Sequence, residues 1–502
     1  MSPTMASSSS STAAAGPLVV SKVNPRYFTL RSGDSAGGRA VFLTGSHINN
    51  NFQDGAGSGP DCATTPENSD FDSYLHFLVD HGHNFIRLWR WEHFKSQLGG
   101  GKFHLCMSPQ PWPRTGSGAA SDGKPRFDLS KFDPTYFDRL RRSVIAAGVR
   151  GIYVSVMLFE GHALHLSAPP DNVEGHPFHA RNNVNQVGIR SIVDYQVLPL
   201  DPRIQALQEA YIRKIIDTVH DLPNVLYEVA NESSGDTGDS VKLPDGTTIA
   251  TPIGDSTEWQ YRVIDFVKQY EQQRGYDKHP IGMTMQYPVP DQRKVNAPLF
   301  NSHADWISPG FDEIAATARK GDGPAPGRWL LDPPPNDGTK VILSDTDHYS
   351  PFHCDPLWAW KSLLRGHNPV LYDFGIVTGV NSPNPPPGFP PYQAYEPTRH
   401  AMGDALRYAG KVKLLEMVPS GDLSSTGYAL AHPGHEYLVL QPSKDSTSFT
   451  LELTAGTYAV AWYGVDTRNE VERARLAVVS PATVTFDAPF APAVLHLKRA
   501  VP

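Results

Sequence analysis

The sequence predicts an α/β fold: a (β/α)8 barrel followed by an antiparallel β-sandwich. Three observations predict it. Eight short β-rich runs between residues 40 and 375 end in polar clusters and alternate with helix-compatible sequence. Near residue 412 the period changes, and seven short strands follow with turn residues between them and no room for a helix. A chain of 502 residues is also too long for one small domain and suits a large barrel with an accessory module.

Residues 1–24 begin MSPTMASSSSSTAAAGPLVV and read as a disordered tail, because Ser and Ala replace both a basic leader and an apolar core. The barrel is expected over residues 25–412. Its strands are AVFLTGSH (40–47), NFIRLWRW (84–91), GIYVSVMLFEGH (151–162), NVLYEVANE (224–232), PIGMTMQY (280–287), ADWISPG (304–310), KVILSDTDH (340–348) and PVLYDFG (369–375). Helical spacing of Phe71, Tyr74, Leu75 and Leu78 marks one helix, and Ile204, Leu207, Tyr211, Ile215 and Val219 mark another. PTRHAMGDALRYAG (397–410) is the last helix. The segment 240–254 reads as a β-hairpin turning at Asp245-Gly246, and the Pro-rich stretches LDPPPNDG and NSPNPPPGFPPY as stiff loops on the C-terminal side of the strands. Residues 413–502 form the sandwich from YALAH, EYLVLQP, SFTLEL, TYAVAWYG, ARLAVV, ATVTFDA and AVLHLKR.

Composition excludes several classes. The balance of 44 basic and 52 acidic residues argues against a general nucleic-acid or anionic-membrane partner. No apolar stretch approaches the roughly 20 residues of a membrane span. Three widely spaced cysteines, Cys62, Cys106 and Cys354, with no CxxC, exclude a disulfide scaffold and a zinc ribbon. A cytoplasmic location is expected, and no organic cofactor is implied. The sequon Asn231-Glu232-Ser233 falls where a sugar would obstruct the chemistry described next.

In a barrel, working side chains lie just past the C-terminal ends of the strands. The fourth run ends Ala230-Asn231-Glu232-Ser233 and the seventh Ser344-Asp345-Thr346-Asp347-His348. Two carboxylates meeting across one mouth suit glycosidic bond cleavage: one protonates the leaving oxygen, the other attacks the anomeric carbon or activates water. Asn231 is placed to hydrogen-bond a sugar 2-hydroxyl. Asp345 and Asp347 are both candidates for the second carboxylate, since residues two apart on a strand share a face. Further candidates for substrate contact end the other runs: His47, Glu92, Glu160, Gln286, Tyr287, Asp305 and His348. Trp89, Trp91, Trp112 and Trp306 are candidate stacking surfaces, although tryptophan is more often packing.

The motif LPNVLYEVANES resembles the fourth-strand signature of clan A glycoside hydrolases, in which the acid/base Glu follows Asn. FIRLW is similar to their second strand and KVILSD to their seventh. GSHINNNFQD, HGHNFIRLWRWEHF, VILSDTDHYS and the tail EMVPSGDLSSTGYALAHPGHEYLVLQP resemble the cellulase-like and apiosidase-like branch, whose barrels carry a C-terminal sandwich of the collagen-binding type. The resemblance implies a glycosidase acting on an oligo- or polysaccharide such as a plant cell-wall glycan, by a retaining mechanism. It also implies Glu232 as acid/base and Arg87 as the partner that keeps the nucleophile ionised. The sequence departs from the clan at the nucleophile, where Asp345 replaces the usual Glu. Asp345 is favoured over Asp347 because it follows the apolar run as the clan's Glu does.

Two other classes compete with a glycosidase. A metal-dependent hydrolase would draw on His162, His165, His176, His179 and DTDH, but the first run offers His47 alone, not a His-x-His pair, and no H-E-x-x-H is present. A non-catalytic carbohydrate-binding protein would work through the sandwich, whose Tyr458, Trp462 and Tyr463 share one strand and were expected to divide between core and surface; retention of both barrel carboxylates opposes it.

Overall fold

The computed structural model describes residues 13–34, 38–56, 62, 70–98, 103–166, 171–236, 241–242, 248–249, 254–289, 294–310, 328–348, 354–376 and 390–500. Eight parallel strands form one sheet: β1 (Gly45–His47), β2 (Phe85–Leu88), β3 (Tyr153–Glu160), β4 (Val225–Asn231), β5 (Ile281–Thr284), β6 (Trp306–Ser308), β7 (Val341–Asp345) and β8 (Asn368–Tyr372). Their order is β1-β8-β7-β6-β5-β4-β3-β2. The sheet closes between its ends, where the Asn84 N–H donates to Thr44 O at 2.9 Å and the Thr44 N–H to Asn84 Oδ1 at 2.9 Å. Gly45 allows this closure, because a Cβ there would lie 1.9 Å from the Phe85 carbonyl oxygen.

The main helices are α1 (Phe71–Asp80), α2 (Pro134–Gly148), α3 (Pro202–Val219), α4 (Thr257–Arg274), α5 (Pro356–Leu364) and α6 (Tyr392–Lys411). Helices α2, α3 and α5 each begin Asp-Pro, and the caps Asp133, Asp201 and Asp355 accept a first-turn N–H. Each buries an apolar stripe against the strands, as Ile204, Tyr211, Ile215 and Val219 do in α3. No described helix is long and apolar enough to cross a membrane.

Two expectations are corrected at the barrel floor. Leu18–Val20, inside the expected tail, is a strand pairing with Phe28–Leu30, which pairs in turn with Ala40–Val41. Leu18 and Phe28 pack beneath Leu43, Phe85, Tyr153, Leu226, Trp306, Val341 and Val370 and plug the barrel. The Pro-rich stretch 331–338 leads into the N-terminal end of β7 instead of lying on the C-terminal side. NSPNPPPGFPPY lies almost entirely outside the described residues, as does the Asp245-Gly246 turn, though its flanks Val241–Lys242 and Thr248–Ile249 pair antiparallel as expected.

All seven expected sandwich strands form, preceded by the short Val418–Pro419. Six strands make one sheet, and Ser448–Leu453 pairs with Ala482–Asp487 to make the other. Period-two alternation divides the larger sheet. Ala429, Ala431, Tyr437, Val439, Leu495 and Leu497 face the smaller sheet, whereas Leu430, Leu438, Leu440 and Val494 join the core shared with the barrel helices. Tyr458 and Trp462 fill the sandwich core and Tyr463 the barrel interface, so none of the three is a surface aromatic. Cys62 and Cys106 form a disulfide. One bond is no scaffold, though the pairing was not foreseen.

Candidate active site

The apolar floor sets the register of what lies above it. Along each strand the second residue onward points the same way, so Gly45, Phe85, Leu226 and Leu343 are followed inside the barrel by His47, Arg87, Glu228 and Asp345. The second interior layer is therefore ionic. Arg87 sits at its centre: Nε donates to Glu228 Oε2 at 2.9 Å, Nη2 to Glu228 Oε1 at 2.5 Å and to Asn231 Oδ1 at 2.8 Å, and Nη1 to Asp345 Oδ2 at 3.0 Å and Asp347 Oδ2 at 3.2 Å. Burial opposes charge on this guanidinium, but the carboxylates of Glu228, Asp345 and Asp347 outweigh it and raise its pKa well above the ordinary value.

The two aspartates are not equivalent. Strand β7 stops at Asp345, and Thr346–His348 turns into a 3₁₀ helix, so the period-two rule that left them indistinguishable no longer applies. Asp345 Oδ2 accepts from His47 Nε2 at 2.7 Å as well as from Arg87, and Oδ1 accepts the Asp347 N–H at 3.0 Å. Its side chain is 1% exposed, against 12% for Asp347. Burial would raise the Asp345 pKa, but His47 and Arg87 hold it below the usual carboxylate range. Asp347 is raised well above that range, by burial first and then by the negative charges of Glu232 and Asp345. His348 is fully buried, accepts or donates at Ser308 Oγ at 2.8 Å, and has its pKa lowered to about 3 by burial and by Arg87.

Glu232 lies one residue past β4 with φ +44°, a left-handed conformation uncommon outside glycine. Its Oε2 is 2.6 Å from His162 Nδ1, and its carbonyl accepts from His165 Nε2 at 3.0 Å. Both histidines come from the short helix His162–Leu166 that follows β3. Gly161 brings the two loops together, since a Cβ there would lie 2.6 Å from Ser233 Cα. Burial works against charge on His162, yet Glu232, Glu160 and Asp347 lift its pKa to about 9. Glu160, buried at the end of β3, accepts the Ala163 N–H and is pushed up to about 8 by that burial. Tyr287 stands beside this group, its ring roughly perpendicular to that of His165 with centroids 5.8 Å apart.

Of the residues expected at the site, Asn231, Glu232, Asp345, Asp347, Arg87, His47, His348, Glu160 and Tyr287 converge. Four others do not. Glu92 is fully buried among Arg90, His176 and Tyr195, and its pKa falls to about 2: burial opposes the charge, but Arg90 and the His176 and Tyr195 hydrogen bonds prevail. Gln286 braces the β4–α4 loop through Ser234 O at 3.2 Å and Thr257 Oγ1 at 3.1 Å. Asp305 precedes β6, at the end away from the mouth, and holds Lys268 at 2.8 Å. Trp91 is buried with Nε1 on Asn49 O, Trp112 packs in the core around the barrel and Trp306 in its floor, whereas Trp89, also buried, lies against the Arg87 guanidinium at 5.1 Å and beside His47. The sequence reading missed Glu228 and treated His162 only as a metal donor. Glu228 had a signal, a carboxylate inside the apolar run Val225-Leu226-Tyr227, where only a buried cation makes it tolerable. His162 had none, because its contact with Glu232 joins loops from two strands.

No family profile matches the sequence, and no curated protein is similar to it. Solved structures are similar in shape. One described as a glycoside hydrolase aligns over 97% of both chains with a TM-score of 0.56 and 13% identity. A glycoside hydrolase family 5 structure from Bacteroides vulgatus covers 96% of this chain and 94% of its own, with a TM-score of 0.54 and 14% identity. At such identity the likeness speaks for architecture: the chain has the fold of these proteins, a (β/α)8 barrel carrying a C-terminal β-sandwich.

Proposed function

We propose that the protein is a glycoside hydrolase that cleaves O-glycosidic bonds of an oligo- or polysaccharide with Glu232 and Asp347 as its working carboxylates. One observation carries this reading: acids from the ends of β4 and β7 enter the same barrel mouth, and the charge of Glu232 acts on Asp347. Two structural neighbours described as glycoside hydrolases support it.

Hydrolysis by this route needs one proton on the pair of acids. When that proton is on Glu232, the negative charge rests on Asp347, 3.2 Å from Arg87 Nη1. This microstate is the reactive one. Glu232 protonates the leaving oxygen while Asp347 attacks the anomeric carbon; Glu232 then takes a proton from water, which releases the sugar with retention. His162, its Nδ1 2.6 Å from Glu232 Oε2, orients that carboxyl group toward the mouth. Asn231, fixed by Arg87, presents its amide to the sugar 2-hydroxyl. Asp345 does not touch the sugar in this scheme; it holds Arg87 and His47 in place.

Aryl glycosides and plant polysaccharides, screened with the anomer of the product followed by NMR, test the proposal. Glu232→Gln should lower kcat/KM by about 10²–10⁴-fold while the protein stays folded. Turnover unchanged in that variant would overturn the assignment. EDTA should leave turnover intact at temperatures well below unfolding; loss of activity would favour a metal-dependent hydrolase.

A further inference from the structure

Outside the barrel wall, α1 and α6 approach unusually closely. Gly82 follows α1 with φ +71°, and a Cβ on Gly403 would lie 2.0 Å from the His81 carbonyl oxygen. Glycine at both positions lets the end of α1 rest on α6. The approach sets His81 against Glu396 and His400, one turn apart on α6. His81 Nε2 is 3.1 Å from Glu396 Oε2, and His400 Nε2 is 3.4 Å from the same oxygen.

The hydrogen bonds around this group fix its chemistry. His81 Nδ1 lies 2.8 Å from Phe77 O, an acceptor, so this nitrogen carries a proton. In the neutral ring, Nε2 then offers a lone pair toward a carboxylate oxygen, a contact that requires a cation between them or a second proton on the ring. A ring nitrogen fixed by a backbone carbonyl is the usual outer support of a metal-binding histidine. Glu396 Oε1 accepts from Arg399 Nη1 at 2.7 Å, and Oε2 faces the two imidazoles. Arg399 is itself neutralised by Asp373, at 2.6 and 2.7 Å. His83 is excluded as a ligand because its ring nitrogens meet Ser46 N and Arg399 O.

We propose that His81 Nε2, Glu396 Oε2 and His400 Nε2 bind a divalent transition-metal ion, for which zinc is the natural probe, clasping the first helix of the barrel to the last. The three atoms lie within 4.8 Å of one another. Tetrahedral zinc ligands at about 2.0–2.1 Å stand about 3.3 Å apart, and the two histidine-to-carboxylate separations, 3.1 and 3.4 Å, are close to that spacing. His400 is 36% exposed, which admits the ion and a solvent molecule as fourth ligand.

Untagged full-length protein, stripped with chelator and titrated with ZnCl₂ in a calorimeter, tests the site. The expected result is one tight ion per chain, a raised Tm, and with Co²⁺ a visible tetrahedral band. His400→Ala, at an exposed position that tolerates truncation, should weaken zinc binding at least about 10–100-fold and abolish the Tm rise and the band. Its apo form should keep the circular dichroism and turnover of the apo wild type. Wild-type protein that takes up no zinc, or His400→Ala binding it as tightly, would overturn the proposal.

Discussion

At the residue scale, the two aspartates of Asp345-Thr346-Asp347 carry different burdens. Asp345 compensates a buried guanidinium and accepts three hydrogen bonds, so Asp345→Asn should cost about 3–5 kcal/mol of stability, read by chemical denaturation. Asp347→Asn should leave Tm nearly unchanged and lower kcat at least about 10²-fold. The reverse pattern, an inactive but stable Asp345→Asn beside an active Asp347→Asn, would restore Asp345 as nucleophile. Histidine 162 makes a prediction of opposite character. Its folded pKa of about 9 lies above the ordinary 6.5, so the stability it contributes is complete below pH 6.5 and is lost as pH rises through 9. Glu160, raised from 4.5 to about 8, loses its contribution over a range that also ends on the alkaline side. Tm should therefore fall between pH 6.5 and 9, and fall less steeply in His162→Gln.

At the element scale, the barrel depends on a few points of close approach that only glycine permits. Gly45 is the sharpest, because β1 meets β2 there and closes the sheet. Gly45→Ala should cost about 1–3 kcal/mol by forcing the strands apart at the Phe85 carbonyl. It should also reduce turnover, since His47, two residues on, holds Asp345. Helices α1 and α3 were legible from the spacing of their apolar residues, whereas the last helix, expected over 397–410, begins at Tyr392 and carries Pro397 inside it, because packing against the barrel outweighs the local break. The floor was not legible. Leu18–Val20 is short and follows a Ser/Ala-rich stretch, and its strand exists only because Phe28–Leu30 returns beside it over an apolar opening.

At the scale of the whole molecule, barrel and sandwich share one core. Asp404 on α6 is 5% exposed and accepts from Tyr463 Oη at 2.5 Å and Arg468 Nε at 2.8 Å across the junction, where Lys411 also reaches Glu470 at 2.7 Å. Asp404→Ala should lower stability by about 1–3 kcal/mol, measured as a drop in Tm, because Tyr463 and Arg468 lose their partner beneath the sandwich. Isolating residues 413–500 should expose Leu430, Leu438, Leu440 and Val494, which favours aggregation over independent folding.

The sequence by itself determined the element plan. All eight barrel strands, helices α1, α3 and α6 and the seven sandwich strands follow from periodicity and turn chemistry, which act over a few residues. It also placed Glu232, Asn231 and the Asp345/Asp347 pair at strand ends, because a parallel barrel puts its polar termini on one face. Tertiary structure alone decided which aspartate faces the cleft, that Glu228 balances Arg87, that His162 holds Glu232, and that His81 meets His400. Those outcomes depend on distances between residues tens to hundreds of positions apart, set by strand closure and helix packing, and no local pattern encodes them.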